Sequence, residues 1–71
     1  MERITREKLD NLTESVNAIL GKETFVLGFR NGFIYFDYKD HRKQALFNNA
    51  TNNKELYLSI YAFRQGLTFK N

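Results

Sequence analysis

Two aspartates three residues apart, Asp37 and Asp40, with Lys39, His41 and Arg42 around them, form the densest chemistry-capable cluster in the chain. A carboxylate pair at a strand end could in principle gather Mg²⁺. Such a cation wants several oxygen ligands, and neither a third acid nor a glycine-rich phosphate loop accompanies the pair. Salt bridges to Lys39 and Arg42 account for the two acids more simply. A general base needs a substrate proton and an orienting partner within hydrogen-bond reach, so His41, in a charged turn, reads as a solvated loop histidine. Ser15 and Ser59 fall within helices, away from any local base or nucleophile elbow. Gly21-Lys22-Glu23-Thr24 has the glycine and lysine of a phosphate loop. It lacks the upstream glycine, carries Glu where the hydroxyl belongs, and follows a helix rather than a strand. No catalytic, cofactor-binding or metal-ligating set emerges, and the chain reads as non-enzymatic.

Rings and cations offer a different chemistry. Val26, Arg30, Phe33, Tyr35, Lys39, Arg42 and Lys43 form a candidate contact surface on one face of a hairpin and the turn after it. Three readings compete for it. Tyr35 could simply cover Gly28, as aromatic side chains do on exposed sheets. The face could pack in a homodimer, or against another protein. It could also be a platform on which a planar base stacks, with Arg30, Lys39, Arg42 and Lys43 near its phosphates. Charged residues at a strand turn also discourage unwanted strand pairing, with no ligand involved.

The hairpin that positions these residues is marked by Asn31-Gly32, set between alternating strand formers. Both central residues of a type I′ turn need φ > 0, which Asn and Gly tolerate best. A two-residue turn dictates the register: Arg30 opposes Phe33, Phe29 opposes Ile34, and Leu27 opposes Phe36. One face then holds Phe25, Leu27, Phe29, Ile34, Phe36 and Tyr38 and is expected to be buried. The other holds Thr24, Val26, Gly28, Arg30, Phe33, Tyr35, Asp37 and Lys39.

Leu9, Leu12, Val16, Ile19 and Leu20 recur at helical spacing and predict a helix over residues 6–20. Thr5 is its expected N-cap, Ile4 the staple onto Leu9, and Gly21 the left-handed stop. Residues 43–48 predict a short third strand, antiparallel to the second. Residues 48–53 predict an asparagine-rich loop. A second helix is expected to begin after Asn52, with Leu56, Ile60, Phe63 and Leu67 facing inward and Gly66 ending it. Tyr57, Leu58, Tyr61 and Ala62 spread apolar character around its girth, which suggests cover on more than one side. The whole predicts a single two-layer α+β domain spanning residues 1–71, with two helices on one face of an antiparallel two- to three-stranded sheet.

Seventy-one residues bury only ~60% of their unfolded surface, so some supplement to the core is expected. With no cysteine and one histidine, disulfides and a zinc site are excluded, leaving oligomerisation as the supplement, although well-packed monomers of this length are also common. The net charge of +3 is unevenly spread: four Lys/Arg against five Asp/Glu before Thr24, then seven against three. Dedicated DNA-binding domains carry a denser basic face. The first residues lack the apolar core of a signal peptide and no run reaches membrane-spanning length, so no membrane is expected and the cytoplasm is the default. The sequons at Asn11 and Asn49 would matter only after secretion.

The first helix carries Leu12-x3-Val16-Asn17-x2-Leu20-Gly21. Beyond the hairpin, Lys54-Glu55-Leu56-Tyr57 leads to Ala62-Phe63-Arg64-Gln65-Gly66-Leu67. In these motifs, in size and in element order, the chain resembles small uncharacterised bacteriophage and prophage proteins. The resemblance covers most of the chain and departs from it between Lys39 and Asn53, where those proteins tend to be glycine-rich. It implies an accessory phage protein in the bacterial host cytoplasm with no known enzymatic role. The apolar girth of the second helix and the Phe33/Tyr35 patch add the expectation of a non-enzymatic module that binds a host or phage protein and self-associates.

Overall fold

The structure, a computed structural model, describes residues 3–40 and 42–69. Helix α1 spans Arg6–Leu20, followed by strands β1 (Phe25–Arg30), β2 (Phe33–Tyr38) and β3 (Phe47–Asn48), then helix α2 (Asn53–Phe69). The three strands form one antiparallel sheet in the order β1-β2-β3.

The turn behaves as its residues require. Asn31 has φ 54° and Gly32 φ 81°, both in the region that most side chains avoid. The register follows: Arg30 pairs with Phe33, Gly28 with Tyr35, and Leu27 with Phe36. Phe25, Ile34 and Phe36 are thereby buried against Leu9, Leu12 and Val16 of α1 and Leu56 and Ile60 of α2. Each such side chain contributes about 1.5–3 kcal/mol when fully buried. Phe63 of α2 stands edge-on to three rings, with centroids 5.5 Å from Phe25, 6.2 Å from Phe36 and 6.3 Å from Phe47. Edge-to-face contact is a preferred aromatic geometry, so this cluster fixes α2 over the sheet.

Helix α1 has its expected ends. Thr5 Oγ1 accepts the Lys8 N–H at 3.4 Å, and Gly21, at φ 80°, donates to Asn17 and Ala18 carbonyls. Its inner stripe also includes Thr13, whose hydroxyl donates to the Leu9 carbonyl at 2.9 Å and so can be buried. Leu20, expected inside, is part-exposed at the last turn.

Asn17 links the helix to the sheet. Its Oδ1 accepts the N–H groups of Thr24 and Phe25, both at 3.0 Å, and its Nδ2 donates to the Phe25 carbonyl at 2.9 Å. Asn49 does the same on the other side of the sheet. Its Oδ1 accepts the Ile34 N–H at 2.7 Å, and its Nδ2 reaches Asn53 Oδ1, also at 2.7 Å. Asn53 in turn donates to the Ile4 carbonyl. The asparagine-rich segment thus clasps β2, α2 and the lead-in to α1.

Three expectations need correction. Phe29, assigned to the buried face, is 62% exposed, because the hairpin tip extends past the helices. The third strand shrinks to Phe47–Asn48: Lys43 N–H closes a turn onto the Asp40 carbonyl, and pairing with β2 begins only where Leu46 N–H meets the Phe36 carbonyl. Gly66 does not end α2. The helix continues to Phe69, since Leu67 still packs on the core and outweighs the ~1 kcal/mol that an interior glycine costs. At the start, Asn52 Oδ1 caps α2 by accepting the Glu55 N–H at 2.8 Å.

An added Cβ at Gly66 meets nothing within 4 Å, so Gly66→Ala is expected to stabilise the chain by about 1 kcal/mol in urea unfolding. A glycine holding a left-handed stop would give the opposite sign. Asn17→Ala removes three hydrogen bonds and should cost about 2 kcal/mol in the same measurement.

Candidate functional site

The face of the sheet turned away from the helices carries the candidate residues. On β1 and β2 the outward set is Val26, Gly28, Arg30, Phe33, Tyr35 and Asp37, as the register dictates. Beside them lies an open cleft of about 390 Å³ between the hairpin and the segment entering β3. Of the candidate set, Arg30, Tyr35 and Lys43 line it, joined by Asp37, Gln44 and Asn48. Val26, Phe33, Lys39 and Arg42 lie outside it. Asn48 was not among the candidates. It enters because β3 pairs it with Tyr35, a position readable only once the third strand's register is known.

The centre of this face is a stack of charges over a glycine. Arg30 grips Asp37 with two contacts, Nη1 to Oδ2 at 2.8 Å and Nη2 to Oδ1 at 3.4 Å. Its guanidinium also lies over the Tyr35 ring, 4.2 Å from the centroid. Donating to the Asp37 carboxylate raises the Arg30 pKa above its ordinary value. Gly28 makes this possible: a Cβ there would collide with the Asp37 carboxylate and sit 3.5 Å from Arg30 Nη1. The space over Gly28 is therefore filled by the ion pair rather than by the Tyr35 ring. Asp37 takes Arg30, not Lys39, as its partner.

The other cations are also engaged. Lys39 Nζ meets Glu23 Oε2 at 2.8 Å, and this hydrogen bond holds the Glu23 carboxyl below its usual range. The favourable contribution is present at neutral pH and is lost as the pH falls through that lowered pKa. Arg42 bonds Asp40 through Nε at 3.1 Å, although its side chain is almost wholly exposed. Lys43 has no carboxylate partner among the described residues. It lies 4.9 Å from the Tyr38 ring centroid.

The remaining chemical candidates are held in structural contacts. Ser15 Oγ accepts Arg64 Nε at 2.6 Å, and Ser59 Oγ donates to the Glu55 carbonyl, one turn back. Gly21–Thr24 serves as helix stop and strand lead-in. His41 lies outside the described residues. Among those described, no group of three His, Cys, Asp or Glu side chains is placed to hold a metal ion, and no helix is long and apolar enough to cross a membrane.

Comparison with protein-family models, curated proteins and solved structures finds no match to this chain.

Gly28→Ala tests the stacked centre. The added methyl must push the Asp37 carboxylate aside, releasing Arg30 from Tyr35. The expected outcome is a shift of the Tyr35 ring resonances with a stability loss of no more than about 1 kcal/mol, since Arg30 is largely exposed.

Proposed function

We propose that this chain is a non-enzymatic protein-interaction module of the phage accessory type, acting in the bacterial cytoplasm, that docks through its outer sheet face and self-associates. The observation that carries this reading is the cancellation of charge beside an exposed ring. Phe33 is 41% exposed next to an Arg30 already neutralised by Asp37. The centres of protein interfaces are depleted in net charge and enriched in aromatic residues and arginine. The flank of α2 adds Leu58 and Tyr61, at 48% and 44% exposure, as further apolar surface.

A single-strand binder needs ring faces free for stacking and cations free for phosphates. Here Arg30 covers one face of Tyr35, and Arg30, Lys39 and Arg42 each have a carboxylate. Lys43 beside the cleft is the one observation in favour of a nucleic-acid or nucleotide ligand.

The deciding experiment immobilises the chain and its Phe33→Ser variant and exposes both to extract from phage-infected bacteria. The wild type should retain a protein that the variant, with unchanged circular dichroism and melting, retains at least ~10-fold less, about 1.4 kcal/mol of binding. Retention that Phe33→Ser leaves unchanged defeats the proposal. So do single-stranded oligonucleotides that move the amides of residues 26–43 at low salt and lose this effect in Tyr35→Ala, which would establish the alternative.

A further inference from the structure

The far side of β1 is an open strand edge, unlike the sheet's other margin. β3 is only two residues long, whereas β1 presents six residues with no strand beyond it among the described residues. In an antiparallel pair, alternate residues aim their main-chain groups to opposite sides. Lys39 N–H bonds the Thr24 carbonyl at 2.9 Å, so Thr24, Val26, Gly28 and Arg30 point toward β2. Phe25, Leu27 and Phe29 point outward. Asn17 already satisfies both groups of Phe25. What remains is the N–H and C=O of Leu27 and of Phe29.

Edges of this kind are normally blunted by lysines, prolines or bulges. β1 has none of them, and its one charge, Arg30, is bridged to Asp37.

The geometry points to a second copy of this chain as the occupant, its β1 pairing antiparallel with this one across a two-fold axis at Gly28. The two available residues sit symmetrically about Gly28. In that register each copy's Leu27 faces the other's Phe29, and both residue pairs exchange N–H···O=C bonds. Every outward group on the edge is then satisfied. An axis at Leu27 would instead set Phe29 against a Phe25 that Asn17 holds. Such self-complementarity is what an isologous interface requires. The side chains agree, because Phe29, 62% exposed beyond the helices, would stand beside the Leu27 of the other copy on the same sheet face.

An aromatic side chain offers ~200 Å², so covering two Phe29 rings and the facing Leu27 residues removes roughly a few hundred Å². That is well short of the ~1,200 Å² of lasting complexes. Each copy also carries a net charge of +3. The pair is therefore a concentration-dependent dimer that added salt strengthens, opposite in sign to nucleic-acid binding. This inference rests on the self-associating part of the reading above and uses an edge separate from Phe33.

Light scattering behind a sizing column, from about 10 µM to about 1 mM chain, is the test, combined with amide hydrogen exchange. The expected result is a rise in mass with concentration, with exchange slowing at Leu27 and Phe29 but not at Val26 and Gly28, which already face β2. Phe29→Lys, at an exposed position, should abolish the rise, and Phe33→Ser should leave it intact. A chain that stays monomeric throughout overturns the pairing, even if Phe33-dependent capture survives. So does a dimer whose Leu27 and Phe29 amides exchange at unchanged rates, or one that Phe29→Lys does not weaken. Dimerisation with capture indifferent to Phe33 overturns the docking face alone.

Discussion

The reversal at Asn31-Gly32 is the constraint on which the rest of the molecule depends. Side chains alternate along a strand, so a slip of one residue would turn all of β2 to the opposite face. Ile34 and Phe36 would then lie in water, and Asp37 beneath two helices. The positive φ angles of Asn31 and Gly32 make a two-residue loop the low-energy choice. The aromatic cluster around Phe63 makes any other register costly. Local turn chemistry and long-range packing thus select the same alignment, which is the consistency expected of a chain with one native state.

The elements were legible where local chemistry and burial agree. α1 occupies the span that its apolar spacing, Thr5 and Gly21 indicate, and the hairpin pairing follows from two residues. Legibility failed where a residue's fate depends on what lies across from it. Phe29 has the right parity to be buried, yet parity says nothing of how far the helices reach over the sheet. Gly66 carries a stop signal, but Leu67 has a place against the core, and even a half-buried leucine outweighs an interior glycine. The ion pair over Gly28 was the hardest to read. Arg30 and Asp37 are seven residues apart, and their alignment required the register, the missing Cβ and the reach of the guanidinium together.

Asparagine has a role here that composition disguises. A side-chain amide has the same donor and acceptor as a peptide group, so it can stand in for a neighbouring strand. Asn17 does this for Phe25 on one side of the sheet; on the other, Asn49 accepts the Ile34 N–H on Oδ1 and donates its own main-chain N–H to the Ile34 carbonyl. Each closes part of a strand edge without a further strand, which suits a small chain that cannot spare the length. The cost is incomplete coverage: one amide closes one residue's worth of edge, and β1 has two more.

Charge placement and edge placement then bear on the same question. Three cations of the outer face are bound to acids of this same chain, so little positive potential remains there to draw in polyphosphate. Besides Lys43, what the outer face and the β1 edge leave available is apolar or main-chain in character: the Phe33 ring on one face, the Phe29 ring at the tip, and a short run of amides and carbonyls beside it. Water can solvate the main-chain groups at small cost, but it solvates a phenylalanine ring poorly. The rings therefore supply the driving force for association, and the edge supplies its orientation. A chain too small to bury all of its rings within itself gains most from contacts that bury them elsewhere.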